Sequence, residues 1–231
     1  MRSAGAMFKK QFLDTMKNRL ILIQFIIMPV MAFLLTELIA KASDEIPNSM
    51  FVTMFAAIFV GMGPLLTTSG AISEDRERKS LRFLVMAGGR QHEYLLGVGG
   101  FVLLVCSIIS VFFGLIGGFQ GVELIKFILI LIFGSATSIV LGAAIGIMSK
   151  NQQAATAISV PVFMIFAFCP MIAQFNESVA NVASVLYTQQ INEIVNDISM
   201  SAMKPYLIIL VNLIVFAFLF ALVYRKKGLK G

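Results

Sequence analysis

Histidine occurs once in this sequence, at His92, and cysteine twice, at Cys106 and Cys169. A single histidine excludes His-rich metal sites, and this one falls in a polar loop where it reads as solvated. The two cysteines have neither CxxC nor metal-ligand spacing, so they read as buried thiols that report nothing about redox compartment. There is no GxxxxGK[ST] phosphate loop, so the chain does not by itself bind ATP in the P-loop manner. HExxH, GxSxG and paired carboxylates inside an apolar run are missing too. No catalytic, cofactor-binding or metal-ligating residue is expected. Charge is scarce: Asp, Glu, Lys and Arg make up 13% of the chain, against roughly 25% in soluble globular domains. The centres of the long apolar runs carry none, where each charge would cost about 2.5 to 3.5 kcal/mol. Glu37 comes closest, near one end of the first run. That absence weighs against a proton- or sodium-coupled carrier, which uses an intramembrane carboxylate or a broken-helix ion site.

What remains is overwhelmingly apolar. Hydrophobic residues are 58% of the 231 positions and the mean hydropathy is +0.91, too apolar for a water-soluble core of this size. An α-helix rising 1.5 Å per residue needs roughly 20 apolar residues to cross a hydrocarbon core of about 30 Å. Six runs qualify, at about 20–40, 51–72, 95–118, 124–148, 154–173 and 205–224. Such continuous runs exclude a barrel, whose strands would alternate. Residues 1–19 hold no long apolar run, so no cleavable signal is expected there. The expectation is an all-α integral membrane protein made of one transmembrane domain over residues 1–231, since every polar stretch is too short for a soluble domain.

The basic residues set the orientation, because cytoplasmic loops retain them. With the N-terminus inside, one side collects Arg2, Lys9, Lys10, Lys17, Arg19, Arg76, Arg78, Lys79, Arg82, Arg90, Lys150, Arg225, Lys226, Lys227 and Lys230. The other side holds Lys41, Lys126 and Lys204. Fifteen against three places both termini in the cytoplasm of a multi-pass protein of the cell membrane. The net charge of +6 follows from this sorting. No cluster interleaves basic and aromatic residues as a stacking platform, so a nucleic-acid partner is discounted.

Local patterns add detail. Met7, Phe8, Phe12 and Met16 recur at near-helical spacing among Lys9, Lys10, Asp14 and Lys17, which predicts an amphipathic interfacial helix over about 3–18. Spans three and four carry small residues four apart, Cys106, Ser110, Gly114 and Gly118 in one and Gly134, Ser138, Gly142 and Gly146 in the other. Both read as close-packing faces. Pro29, Pro64, Pro161 and Pro170 interrupt spans one, two and five and predict kinks. The stretch Gly61, Gly63, Pro64, Thr67, Thr68 and Ser69 is the most breakable part of any span, so with Pro29 it is the candidate pathway or hinge. Residues 174–203 are amphipathic rather than loop-like and predict short helices at or in the outer leaflet.

The densest polar element is ISEDRERKSLRFLVMAGGRQHEY, residues 72–94. Glu74, Asp75 and Glu77 alternate with Arg76, Arg78, Lys79 and Arg82, followed by an apolar run and the Gly88–Gly89 pair. Charge sorting requires neither the acids nor the large hydrophobics. A short charged helix followed by a hydrophobic element and a turn would build a compact cytoplasmic platform.

Together the amphipathic start, the span LILIQFIIMPVMAFLL with its internal proline, the ISEDRERKSL loop with FLVMAGG, the six spans and the extended segment before the last one resemble the permease subunit of a type-2 ATP-binding-cassette (ABC) exporter. Lys79 and Ser80 stand where that family more often has Gly-Thr, and Ala87, Gly88 and Gly89 replace its Pro or Ser turn. The resemblance implies two permease subunits, identical or paralogous, with two separate ABC ATPase subunits that hold ATP and Mg. It also implies a coupling helix at Glu74 to Arg82, docked on the ATPase through Glu74, Asp75, Arg76, Glu77, Arg78, Lys79 and Arg82. Span centres rich in Phe and Met suit an amphipathic peptide, lipid or drug as cargo. Two other readings stay open: a secondary carrier driven by an ion gradient, and a non-transporting membrane scaffold or immunity protein.

Overall fold

The computed structural model describes residues 2–42, 46–79, 91–198 and 202–227. Nine α-helices are found among them, and no strand: α1 Arg2–Lys17, α2 Arg19–Leu35, α3 Met50–Glu77, α4 Gln91–Ile116, α5 Gly121–Met148, α6 Gln152–Ala173, α7 Glu177–Ala183, α8 Tyr187–Asn196 and α9 Met203–Lys227. Helix α2 runs on into a π-helical turn at Thr36–Ala40. Six of these are long and apolar enough to cross a membrane: Ile21–Ala40, Met50–Glu77, Glu93–Ile116, Gly121–Met148, Gln152–Ala173 and Met203–Lys226. They coincide with the six runs read from the sequence. Helix α3 extends five residues past its expected end at 72, and α4 stops at Ile116 rather than 118, where Gly118 adopts a positive φ of 75° in the turn to α5.

The six long helices alternate direction, which gives the bundle two ends. The proximal end holds α1 and the end of α3, and the distal end holds α7 and α8. Helices α3 and α5 pack most extensively and form the centre, with α4, α6 and α9 around them. The small residues of α5 explain this closeness. A Cβ on Gly142 would lie 2.5 Å from the Leu65 carbonyl oxygen, and one on Gly146 would lie 2.9 Å from that of Ser69. Gly134 faces Val60 of α3 and Ile191 of α8. On α3, Gly61 makes the reciprocal approach to α6, whose backbone at Ala167 lies 3.1 Å from the missing Cβ.

All four span prolines sit inside continuous helices. The interior is also rich in hydroxyls, several of them returned to carbonyls one turn back. Ser73 donates to Gly70, Ser110 to Cys106 and Thr137 to Phe133. This disposes of the donor without water, as an apolar surround demands. Ser159 of α6 instead donates across to Ser69 of α3 at 2.8 Å.

Helix α1 lies on α4, with Phe8 and Phe12 edge-on to Phe101 at 5.6 and 6.1 Å between ring centres. Its buried positions include the polar Gln11 and Thr15, while Phe12, Leu13 and Met16 are exposed. At the distal end α8 is almost wholly buried, wedged between α3, α5, α6 and α9. Thr53 of α3 donates to Asn196 at 2.8 Å, and Asn212 of α9 donates to the Val185 carbonyl just before α8. The segment expected to rest on or dip into the outer leaflet is thus a short exposed helix followed by one inserted into the bundle.

Candidate functional site

The densest run of charge on the described helices lies where α3 ends. Helix α3 is 28 residues long, or about 42 Å at 1.5 Å per residue, so it outruns a hydrocarbon core of about 30 Å by about two turns. Its last turn carries Glu74, Asp75, Arg76 and Glu77. These residues continue α3 rather than forming a helix of their own; Arg78 and Lys79 make the turn after it. Arg82, the apolar run after it, and Gly88 and Gly89 lie outside the described residues.

The acids on this turn each face a different neighbour. Asp75 is only 4% exposed. One of its oxygens contacts the Lys10 ammonium of α1, and the other accepts from the Tyr94 hydroxyl of α4 at 2.9 Å. Lys10 lies 3.7 Å from Asp14 as well. Glu77 accepts from the backbone N–H of Gln152 at 3.1 Å, placing its carboxylate at the N-terminus of α6, where the helix dipole favours negative charge. Asn151 caps the same helix by accepting from Ala154. Glu74 pairs along α3 with Arg78 at 2.7 Å, both partly exposed to solvent. Arg76 is half-buried, and its buried Nη1 has no partner among the described residues. One helix end is therefore fastened to α1, α4 and α6 by separate charged links, with Glu74, Glu77, Arg78 and Lys79 still reaching the surface.

The candidate pathway residues divide. Gly61, Gly63, Pro64 and Thr68 are buried within the bundle. Thr67 lines a polar cleft of about 840 Å³ that opens between α1, α2, α3 and α6 at the proximal end. Pro29 lines a different, apolar groove of about 450 Å³ between α2 and α4, with Phe25, Phe33 and Phe112. Within α3, Pro64 has no N–H to offer the Val60 carbonyl, and Ser138 of α5 supplies the missing donor at 2.5 Å. Tyr187 of α8 stands 2.6 Å from the same Ser138 hydroxyl.

Sequence reasoning did not single out Lys10, Tyr94, Gln152 or Tyr187. Lys10 looked like one more cytoplasmic lysine, and Tyr94 like the end of a loop. The partners are brought in from helices far away in sequence, so local pattern carried no signal for them. Ser138 was legible only as a member of the small-residue ladder.

Six helices long and apolar enough to cross a membrane define a multi-pass membrane protein. The chain belongs to the ABC-2 family of transporter proteins, whose family model matches residues 3–225. It is therefore a membrane permease of the ABC-transporter class. Membership implies an ABC ATPase as partner and makes this chain the transmembrane subunit rather than the catalytic one. Comparison with curated proteins gave no match.

Proposed function

We propose that this chain is the permease subunit of an ATP-driven exporter, a single transmembrane permease domain over residues 1–231. Two such subunits, identical or paralogous, assemble with two ATPase subunits that bind ATP and Mg. Both termini lie in the cytoplasm at the cell membrane, as the fifteen-to-three division of basic residues favours. The cargo is an amphipathic peptide, lipid or drug, in keeping with span interiors that hold no charge at their centres.

The observation that carries this reading is the end of α3. A surface charged on its outer side and tied inward to three other helices suits a coupling element, because a push on it moves α1, α4 and α6 together. Glu74, Glu77, Arg78 and Lys79 offer ion pairs to an ATPase, while Asp75 faces inward and transmits.

The test is co-purification from the native membrane in mild detergent, followed by ATP hydrolysis measurements. An ATPase at about equal stoichiometry is expected. Glu74→Arg and Arg78→Glu should each weaken its retention and uncouple transport while membrane insertion stays normal. An intact chain recovered without any ATPase, under conditions that preserve a control exporter, would sink the reading and favour a gradient-driven carrier or a scaffold.

A further inference from the structure

The groups lining the proximal cleft separate by whether their hydrogen-bonding capacity is used. Lys10 is engaged by Asp75 and Asp14, Arg78 by Glu74, and Ser69 by Ser159. Four other lining residues hold unused donors among the described residues. Lys17 and Arg19, exposed at the joint between α1 and α2, form no ion pair with any described residue. Deeper in the wall, Gln24 Nε2 and Thr67 Oγ1 are buried with no hydrogen-bond partner. Thr67 is only 3% exposed, so its hydroxyl has given up water without gaining a protein acceptor, a state costing about 1–3 kcal/mol if nothing fills it.

The unused groups share one property: each donates, and two are cations. They converge on a cavity far larger than a single ion needs. A multi-oxygen anion would satisfy them, and Arg19 brings the forked geometry that suits phosphate oxygens. Beside the lining residues Lys17, Arg19 and Gln24 in sequence, Leu13 of α1 and Ile23 and Ile27 of α2 are exposed, apolar positions against which acyl chains can lie.

We propose that the cleft between α1, α2, α3 and α6 binds an anionic phosphate group, with Lys17 and Arg19 at its rim and Gln24 and Thr67 donating from its wall. The apolar surface beside the rim favours a phospholipid headgroup over free phosphate as the source. The site is independent of the export reading and can fail without it.

The experiment is native mass spectrometry of the full-length protein in mild detergent, titrated with phosphatidylglycerol, with diacylglycerol, or with inorganic phosphate as competitor. Phosphatidylglycerol should bind about tenfold more tightly than diacylglycerol. Lys17→Gln with Arg19→Gln should remove most of that preference; being exposed, these positions leave the fold intact. Thr67→Val should weaken binding about threefold, with Thr67→Ser close to the parent. Displacement of the lipid by millimolar inorganic phosphate would also support the site and make free phosphate a second source. Equal binding of the two lipids would overturn the proposal. So would a rim double variant that binds like the parent, or an equal loss on neutralising Arg225 and Lys226, which would mean diffuse surface attraction.

Discussion

The hydroxyl of Ser138 donates at 2.5 Å to the carbonyl of Val60, the acceptor that Pro64 leaves without a helical partner. With its proton committed there, Ser138 receives the proton of Tyr187, whose hydroxyl lies 2.6 Å away. A hydrogen-bond chain thus runs from α8 through α5 to the break in α3. The proline in span two is not simply a weak point; a serine on one neighbour and a tyrosine on another hold it.

Ser138→Ala leaves the Val60 carbonyl and the Tyr187 hydroxyl unpaired, and should lower stability by about 1–3 kcal/mol. Tyr187→Phe should cost less, since Ser138 still serves Val60. In the double variant the two effects should fall short of their sum by at least about 0.5 kcal/mol. Unfolding in detergent measures all three, and strict additivity would show that the hydroxyls act independently.

Lys10→Met should destabilise the fold by about 1.5–3 kcal/mol, the worth of a hydrogen bond to a charged group, towards the lower end because Lys10 is itself partly solvated. It should also release α1. Limited proteolysis near Phe12 and Leu13 would report that, with cleavage several-fold faster than in the parent. Unchanged proteolysis would mean that Phe8 and Phe12 on Phe101 suffice to hold the helix.

Gly142→Ala should overpack the α3–α5 contact and cost about 1–3 kcal/mol, because the obstacle is the Leu65 carbonyl, part of a helix backbone. Gly100→Ala in α4 meets nothing within 4 Å and should be neutral. Matched thermal melts of the two variants separate a steric effect from any general intolerance of alanine for glycine.

How far the sequence foretold the molecule depends on the range of the interaction. The six spans were legible because hydrophobic length is a local property. The ladder on α5 was legible because four-residue spacing is local too. The cross-helix partners of that ladder were not: nothing near Gly134 announces Ile191, and nothing near Asp75 announces Lys10. The charged loop was read as residues 72–94 with a separate helix at Glu74 to Arg82, yet α3 carries on to Glu77, where Glu74 and Arg78 pair at i,i+4 and Glu77 meets the N-terminus of α6. Charge density drew attention to the region and said little about which carboxylate faces inward.

Single cysteines introduced at Lys41, Lys150 and Lys204, with Cys106 and Cys169 replaced by alanine, test the orientation. A membrane-impermeant maleimide applied to intact cells should label positions 41 and 204 and spare 150 until the membrane is opened. The reverse pattern would invert the topology and place the end of α3 on the outside.

The burial of α8 has a consequence for biogenesis. Val60 and Ser138 precede Tyr187 in the chain, so the first five spans are made before the buried helix that packs into their centre. Insertion and closure are then separate events, and the short helix after span five acts as a keystone that arrives late. A chain that ended before it would lack the side chains that fill the distal centre of the bundle.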